Sequence, residues 1–223
     1  MERRHRMPFG AQPVTGGIRF RLWAPDAHRV QLAVEDREDI PPIDMQPAPD
    51  GWFAITTDQA GIGSLYRFRV DDGPWIPDPA SRFQPRDVHG PSQVVDPAGW
   101  QWTDNGWQGR PWNEAIIYEL HLGTFTPEGT LAAAETHLPE LAELGITAVE
   151  LMPVADFPGD HDWGYNGACL FAPDSRYGTP EELKSFIQAA HGQGLMVLLD
   201  VVYNHFGPEG NYLHLSAPRF FTR

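Results

Sequence analysis

Hydrophobic and polar positions follow two different rhythms along this chain. In the first part they alternate. Ile18-Arg-Phe-Arg-Leu22, Val30-Gln-Leu-Ala-Val34 and Tyr66-Arg-Phe-Arg-Val70 have the period of two expected of half-buried strands. Turn formers separate them at Ala24-Pro-Asp26, Pro47-Ala-Pro-Asp-Gly51 and Asp71-Asp-Gly-Pro74. Short strands at this spacing predict a β-sandwich of about a hundred residues.

From Asp78 to Asn113 the periodicity fades and Pro, Gly, Asp and Trp accumulate. This stretch reads as a connector packed along the surface, docked to its neighbours by Trp100, Trp102, Trp107 and Trp112. The second rhythm begins after Ala115. Ile116–Leu122 is a short apolar run, and Ile146–Met152 is another. Between them, residues 130–144 have helical character, interrupted by Pro139 and closed by Gly145. Thr179-Pro-Glu-Glu182 is a capping box with proline at the first helical position. Leu183, Phe186, Ile187 and Ala190 then share one helical face. Leu195–Val202 is apolar enough for a strand buried on both faces. Alternation of strand and helix implies a parallel sheet. The expected units are 1–97 (sandwich), 98–113 (connector) and 114–223 (α/β).

Composition narrows the function. Hydrophobic residues make up 41% of 223, enough for a packed core. The formal net charge of -14 argues against nucleic acid and anionic lipid as partners. No run approaches the ~20 apolar residues of a membrane helix, and the basic amino terminus lacks a following apolar stretch, so a cytoplasmic setting is expected. Cys169 is the one cysteine and reads as a small buried apolar residue. The chain holds 8 Trp, 12 Phe and 6 Tyr; most should fill cores, but exposed rings can stack on sugars.

Ligands of parallel α/β sheets meet the carboxyl ends of the strands, which directs attention to three loops. The first follows Leu122. The second, from Pro153 to about Thr179, carries Asp156, Asp160, Asp162 and the run Trp163-Gly-Tyr-Asn166. Flat rings and hydroxyl acceptors together suit a sugar pocket. Asp156 and Asp160 read as members of a solvated acidic loop, and their order lacks the regular spacing of a calcium loop. The third loop follows Asp200-Val-Val-Tyr-Asn-His205. A carboxylate at a strand end needs a partner or bound hydroxyls. The spacing suits an active pocket and equally suits a structural Asp200 with a satisfied loop His205.

This hexapeptide resembles the first conserved motif of α-amylase-like glycoside hydrolases. Trp112–Thr126 is similar to the first barrel strand of that family, and Gly145–Val154 to the second. Gly17-Ile-Arg-Phe-Arg-Leu-Trp-Ala-Pro25 resembles the opening strand of the sandwich that precedes the barrel. Phe206-Gly-Pro-Glu-Gly-Asn-Tyr-Leu213 narrows the resemblance to the branch that acts on malto-oligosyltrehalose; branching and debranching enzymes are the nearest alternatives, and a non-catalytic glucan-binding protein is a third. The resemblance implies an immunoglobulin-like β-sandwich followed by the first three strands of an incomplete (β/α)8 barrel. It implies an α-glucan or malto-oligosyltrehalose substrate and no cofactor. It implies sugar contacts from His205, Tyr165 and Trp163, and a supporting Asp200 paired with a later arginine. Asn204 matches a calcium ligand of many α-amylases, but this branch need not use that metal, so none is expected. Relatives often carry Asp where this chain has Asn166, which weakens any charge-based role there.

Retaining glycosidases use two carboxyl groups about 5 Å apart. Glu119, Glu150 and Asp200 lie on predicted strands, but none matches the family's nucleophile or acid motif. The expectation is an amino-terminal part of the enzyme, with no catalytic residue of its own.

Overall fold

The computed structural model describes residues 9–35, 37 and 39–221; the basic amino-terminal stretch lies outside them. The alternating segments form two antiparallel sheets. One contains β1 (Gln12–Val14), β2 (Gly17–Trp23), β5 (Gln46–Ala48) and β6 (Trp52–Thr57), in the order β1-β2-β6-β5. The other contains β3 (Val30–Val34), β4 (Ile43–Asp44), β7 (Leu65–Val70) and β8 (Trp75–Ile76), with β9 (Ser92–Gln93) also on β7. The period of two is visible in β2, where Ile18, Phe20 and Leu22 are buried and the arginines between them are not. Phe20, Leu32, Tyr66, Phe68 and Ile76 fill the space between the sheets.

The stretch after β8 departs from expectation. Asp78, Ser81, Arg82, Gln84 and Ser92 are buried rather than spread along the surface. Most of their polar atoms find hydrogen-bond partners there, with one another or with nearby backbone. The Tyr66 hydroxyl donates to Asp78 at 2.6 Å, Ser92 Oγ donates to Gln84 at 2.6 Å, and Arg82 donates to the carbonyl of Ala11 at 2.6 Å. Burial raises the Asp78 carboxyl to about 6, against the hydrogen bond from Tyr66. The true surface segment starts later. There Trp107 stacks on His191 at 4.6 Å and the Thr103 amide donates to Gln188, while Trp112 is 67% exposed.

The parallel sheet contains β10 (Ile117–Leu120), β11 (Ala148–Leu151) and, after a hairpin, β14 (Met196–Leu199), in the order β10-β11-β14. After β10 come α1 (Leu122–Phe125), α2 (Leu131–Glu135) and α3 (Leu138–Glu143). The predicted interruption is real: Pro139 lies in the first turn of α3, and Gly145 follows with φ +94°. The hairpin of β12 (Ala155–Asp156) and β13 (Cys169–Pro173) was not legible in the pattern. α4 (Pro180–Gly192) begins with the full capping box of Thr179 and Glu182. Leu120, Val149, Leu151, Phe186 and Ala190 form the core between sheet and helices.

β14 is shorter than the predicted run and is not buried on both faces. It is an edge strand, with Leu199 46% exposed. The chain leaves the sheet at Asp200, whose amide still donates to the carbonyl of Leu151 at 2.9 Å. The segment beyond crosses to the sandwich, where Tyr212 and Leu215 pack on its core and α5 (Leu213–Ser216) forms.

Phe186 has no exposed surface, so Phe186→Ala is expected to cost ~3–5 kcal/mol. Ile62→Ala, at a side chain 65% exposed, is expected to stay within ~0.5 kcal/mol. Urea unfolding of the two variants checks both.

Candidate functional site

The carboxyl ends of β10, β11 and β14 open toward one side of the molecule. Register places Glu119 beside Glu150 and Glu150 beside Leu198, with Asp200 two residues on and facing the same way. Tyr118, Val149 and Val197 face the helices instead. The uncovered face therefore carries the acidic side chains.

Tyr165 reaches over this face from the second loop. Its hydroxyl donates to Asp200 Oδ2 at 3.1 Å, and Nε2 of His205 donates to the Tyr165 carbonyl at 3.0 Å. Tyr165, His205 and Asp200, far apart in sequence, thus meet. The Tyr165 hydroxyl is raised above its ordinary pKa, chiefly by its hydrogen bond to Asp200, with Glu119 and Glu150 adding their charge. Asn204 and Tyr203 are exposed. Among the described residues no group of three or more His, Cys, Asp or Glu is placed to hold a metal ion.

Two glycines make this convergence possible. Gly164 has φ +95°, and a Cβ there would lie 2.0 Å from the carbonyl oxygen of Pro153. A Cβ at Gly207 would lie 2.0 Å from the carbonyl oxygen of Asn166. Asp162 braces the same turn: its Oδ1 accepts from the Gly164 amide at 2.6 Å, and its Oδ2 accepts from the Asn166 side chain. Asn166 is therefore an internal donor to a carboxylate, a role that aspartate could not fill.

Trp163 is 62% exposed and meets the edge of the His121 ring at 4.9 Å. His121 Nε2 donates to the Asp162 carbonyl at 2.8 Å and lies 3.0 Å from the Tyr177 hydroxyl. These two residues were missed by the sequence reading. Position could have flagged His121, which follows the first strand directly.

Asp160 is exposed and paired with Arg176, as a solvated loop predicts. Asp156 corrects that expectation. It is 1% exposed, and neither carboxylate oxygen has a well-formed hydrogen bond; the Ser175 backbone offers only a weak opposing influence. Burial pushes its carboxyl up to about 8, and the nearby Asp174 and Asp87 push in the same direction. Cys169 beside it is buried, as expected, and its thiol is raised by the same desolvation.

With this geometry in hand, comparison with known proteins is direct. The profile described as the α-amylase catalytic domain matches residues 80–218, more than half of the chain. The chain belongs to the α-amylase family. Carbohydrate-binding module 48, the isoamylase N-terminal domain, matches residues 8–81. A malto-oligosyltrehalose trehalohydrolase of Deinococcus radiodurans is 47% identical over 219 residues, which cover 97% of this chain and 36% of that protein. Its Saccharolobus solfataricus counterpart is 44% identical over 96% of this chain and 37% of its own length. A 1,4-alpha-glucan branching enzyme of Rhizobium johnstonii is 31% identical over 85% of this chain. The crystal structure of a putative alpha amylase from Salmonella typhimurium superposes with a TM-score of 0.92 at 50% identity, covering 98% of this chain and 37% of that one. The chain thus spans little more than a third of the length of the two trehalohydrolases and of the Salmonella protein, and 29% of the branching enzyme.

Asp156 also sets a pH dependence. Unfolded, it titrates near ~3.9; folded, near about 8. Between those values the native state holds a proton that the unfolded state has released, so stability falls as pH rises and stays low above pH 8. From pH 6.5 to 8.5 the loss from this group should be about 2 kcal/mol. Asp156→Asn is expected to flatten that slope in urea unfolding, while the descent between pH 4 and 6, shared with Asp78 and Asp174, is retained in part.

Proposed function

We propose that this chain is part of a trehalohydrolase that cleaves the α-1,4 bond next to the terminal trehalose of malto-oligosyltrehalose, releasing trehalose. The observation that carries the reading is the meeting of Tyr165, His205 and Asp200 at the open end of the parallel sheet. The names of the 47% and 44% identical relatives favour this branch over the branching enzymes, whose match is at 31%.

In this reading the Tyr165 ring stacks on the sugar at the cleaved bond, and His205 contacts its hydroxyls. Trp163 offers a second flat face, 62% exposed. Asp200 orients Tyr165 through its hydroxyl. The sandwich (1–97), connector (98–113) and partial barrel (114–223) support that wall. Bond cleavage by a retaining route needs a carboxylate nucleophile and a carboxylic acid on opposite sides of the bond. No residue here is assigned either part; Glu119 and Glu150 line the same face as Asp200 and shape its charge. Among the described residues no helix is long and apolar enough to cross a membrane. A cytoplasmic setting belongs to the same proposal.

Maltotriosyl-trehalose distinguishes the outcomes. The 223-residue chain is expected to release no trehalose. The same chain within a protein of its relatives' full length is expected to release it, and Tyr165→Ala there should lower kcat/KM by at least ~10²-fold. New α-1,6 branches, or debranched chains without trehalose, would overturn the assignment. Trehalose release by the short chain would return Glu119, Glu150 and Asp200 to candidacy as the catalytic pair.

A further inference from the structure

Two Asn-Gly pairs occur in the chain, Asn105-Gly106 and Asn166-Gly167. Asparagine before glycine has a reaction of its own. The backbone nitrogen of the glycine attacks the side-chain carbonyl carbon of the asparagine. As that C–N bond forms, the bond to the amide nitrogen breaks, and ammonia leaves with the proton of the glycine amide. Water then opens the cyclic imide at either carbonyl, giving aspartate or isoaspartate. Glycine permits the approach because it has no Cβ in the way. Sequence ranks the two pairs equally; the fold does not.

Asn166 is held away from this reaction. Its side chain donates to Asp162 Oδ2, and its amide donates to Asp162 Oδ1 at 3.3 Å. Gly167 is buried, its carbonyl accepts from the Gly207 amide at 3.0 Å, and a Cβ there would lie 2.8 Å from that of Ala155. To close the ring the side chain must swing toward Gly167, so these contacts must open first. A reaction that proceeds only through an opened state is slowed by the free energy of opening.

Asn105 has the opposite setting. It and Gly106 sit at the centre of a tight turn, closed by the Trp107 amide donating to the Asp104 carbonyl at 2.9 Å. Both are exposed, and among the described residues a Cβ at Gly106 would meet nothing within 4 Å. The residues around the pair are the ones that dock the connector. Asp104 pairs with Nδ1 of His191 at 2.5 Å, the Trp107 ring stacks on the same imidazole at 4.6 Å, and the Thr103 amide donates to Gln188 at 2.7 Å. His191 and Gln188 both belong to α4.

We infer that Asn105 is a site of spontaneous deamidation whose conversion to isoaspartate releases the connector from α4, while the fold shields Asn166. Isoaspartate routes the main chain through the side-chain carboxyl carbon and so adds a methylene to the turn. Asp104 and Trp107 grip one imidazole from the two ends of that turn, and a longer turn cannot keep both in place. The new carboxylate also stands beside Asp104, whose charge opposes it. Shielding of Asn166 protects the candidate sugar site, because a carboxylate there would face Asp162 in place of an amide donor.

Peptide mapping by mass spectrometry tests the site. The 223-residue chain is aged in neutral buffer, folded in one sample and urea-unfolded in another. In urea the two pairs are expected to convert at rates within about twofold of each other, since each asparagine precedes glycine. In the folded chain Asn105 is expected to convert at least ~tenfold faster than Asn166. Native hydrogen exchange of the Thr103 and Trp107 amides then reports the docking. It is expected to quicken about tenfold in the converted chain. It should stay slow in an equally aged Asn105→Gln chain, whose longer side chain closes such a ring far more slowly. Conversion of Asn166 at the pace of Asn105 in the folded chain, or no conversion of Asn105, overturns the site. Conversion of Asn105 with exchange at Thr103 and Trp107 unchanged overturns the release.

Discussion

The candidate site depends on how closely three pieces of backbone approach one another. The loop carrying Trp163 and Tyr165 is pressed between the end of β11 and the loop that follows Asp200. At both contacts the chain has a glycine, Gly164 against Pro153 and Gly207 against Asn166, where a side chain would collide with backbone. Interiors at this density transmit displacements instead of absorbing them. A shift of a few tenths of an ångström at either contact would move the Tyr165 ring or release the hydrogen bond from His205 to its carbonyl. The geometry of the side chains is set by these backbone contacts and only then refined by Asp162 and Asp200.

Much of this was readable from the residues. The alternation in Ile18–Leu22 reports a strand because each inward residue meets the opposite sheet. The capping box at Thr179 is local chemistry and so is visible locally. Tyr165, His205 and Asp200 were legible through the motifs around them, although nothing in their spacing shows that the three would touch. Asp156 was misread because its burial is decided elsewhere. The loop carrying it is clamped by the Gly159 amide donating to Asp87 at 2.9 Å, and Val88 packs beside Cys169. Those partners lie some seventy residues earlier in a stretch without periodicity. His121 and Tyr177 escaped for the same reason: each is unremarkable alone, and their relation to Trp163 exists only in the fold.

Two kinds of polar interior coexist here. In the sandwich, Tyr66, Asp78, Gln84 and Ser92 satisfy one another, which offsets part of the cost of their burial and holds Asp78 to about 6. Asp156 has no such partners and holds its proton to escape the cost of a buried charge. Both belong to the region where sandwich, hairpin and loops meet, but the loss set by Asp78 is largely complete near pH 6, whereas that set by Asp156 runs on to about pH 8.

The segment after β14 is fastened at both ends. His205 is tied to the Tyr165 carbonyl, and a few residues later Tyr212 and Leu215, partly buried, pack against the sandwich core. His89 adds a rivet, bonding to Tyr212 at 2.7 Å and to Glu209 at 2.8 Å. So short a strap has almost no slack. The sandwich is therefore an abutment rather than a pendant: any rocking of it against the parallel sheet would be delivered to the histidine as a tug.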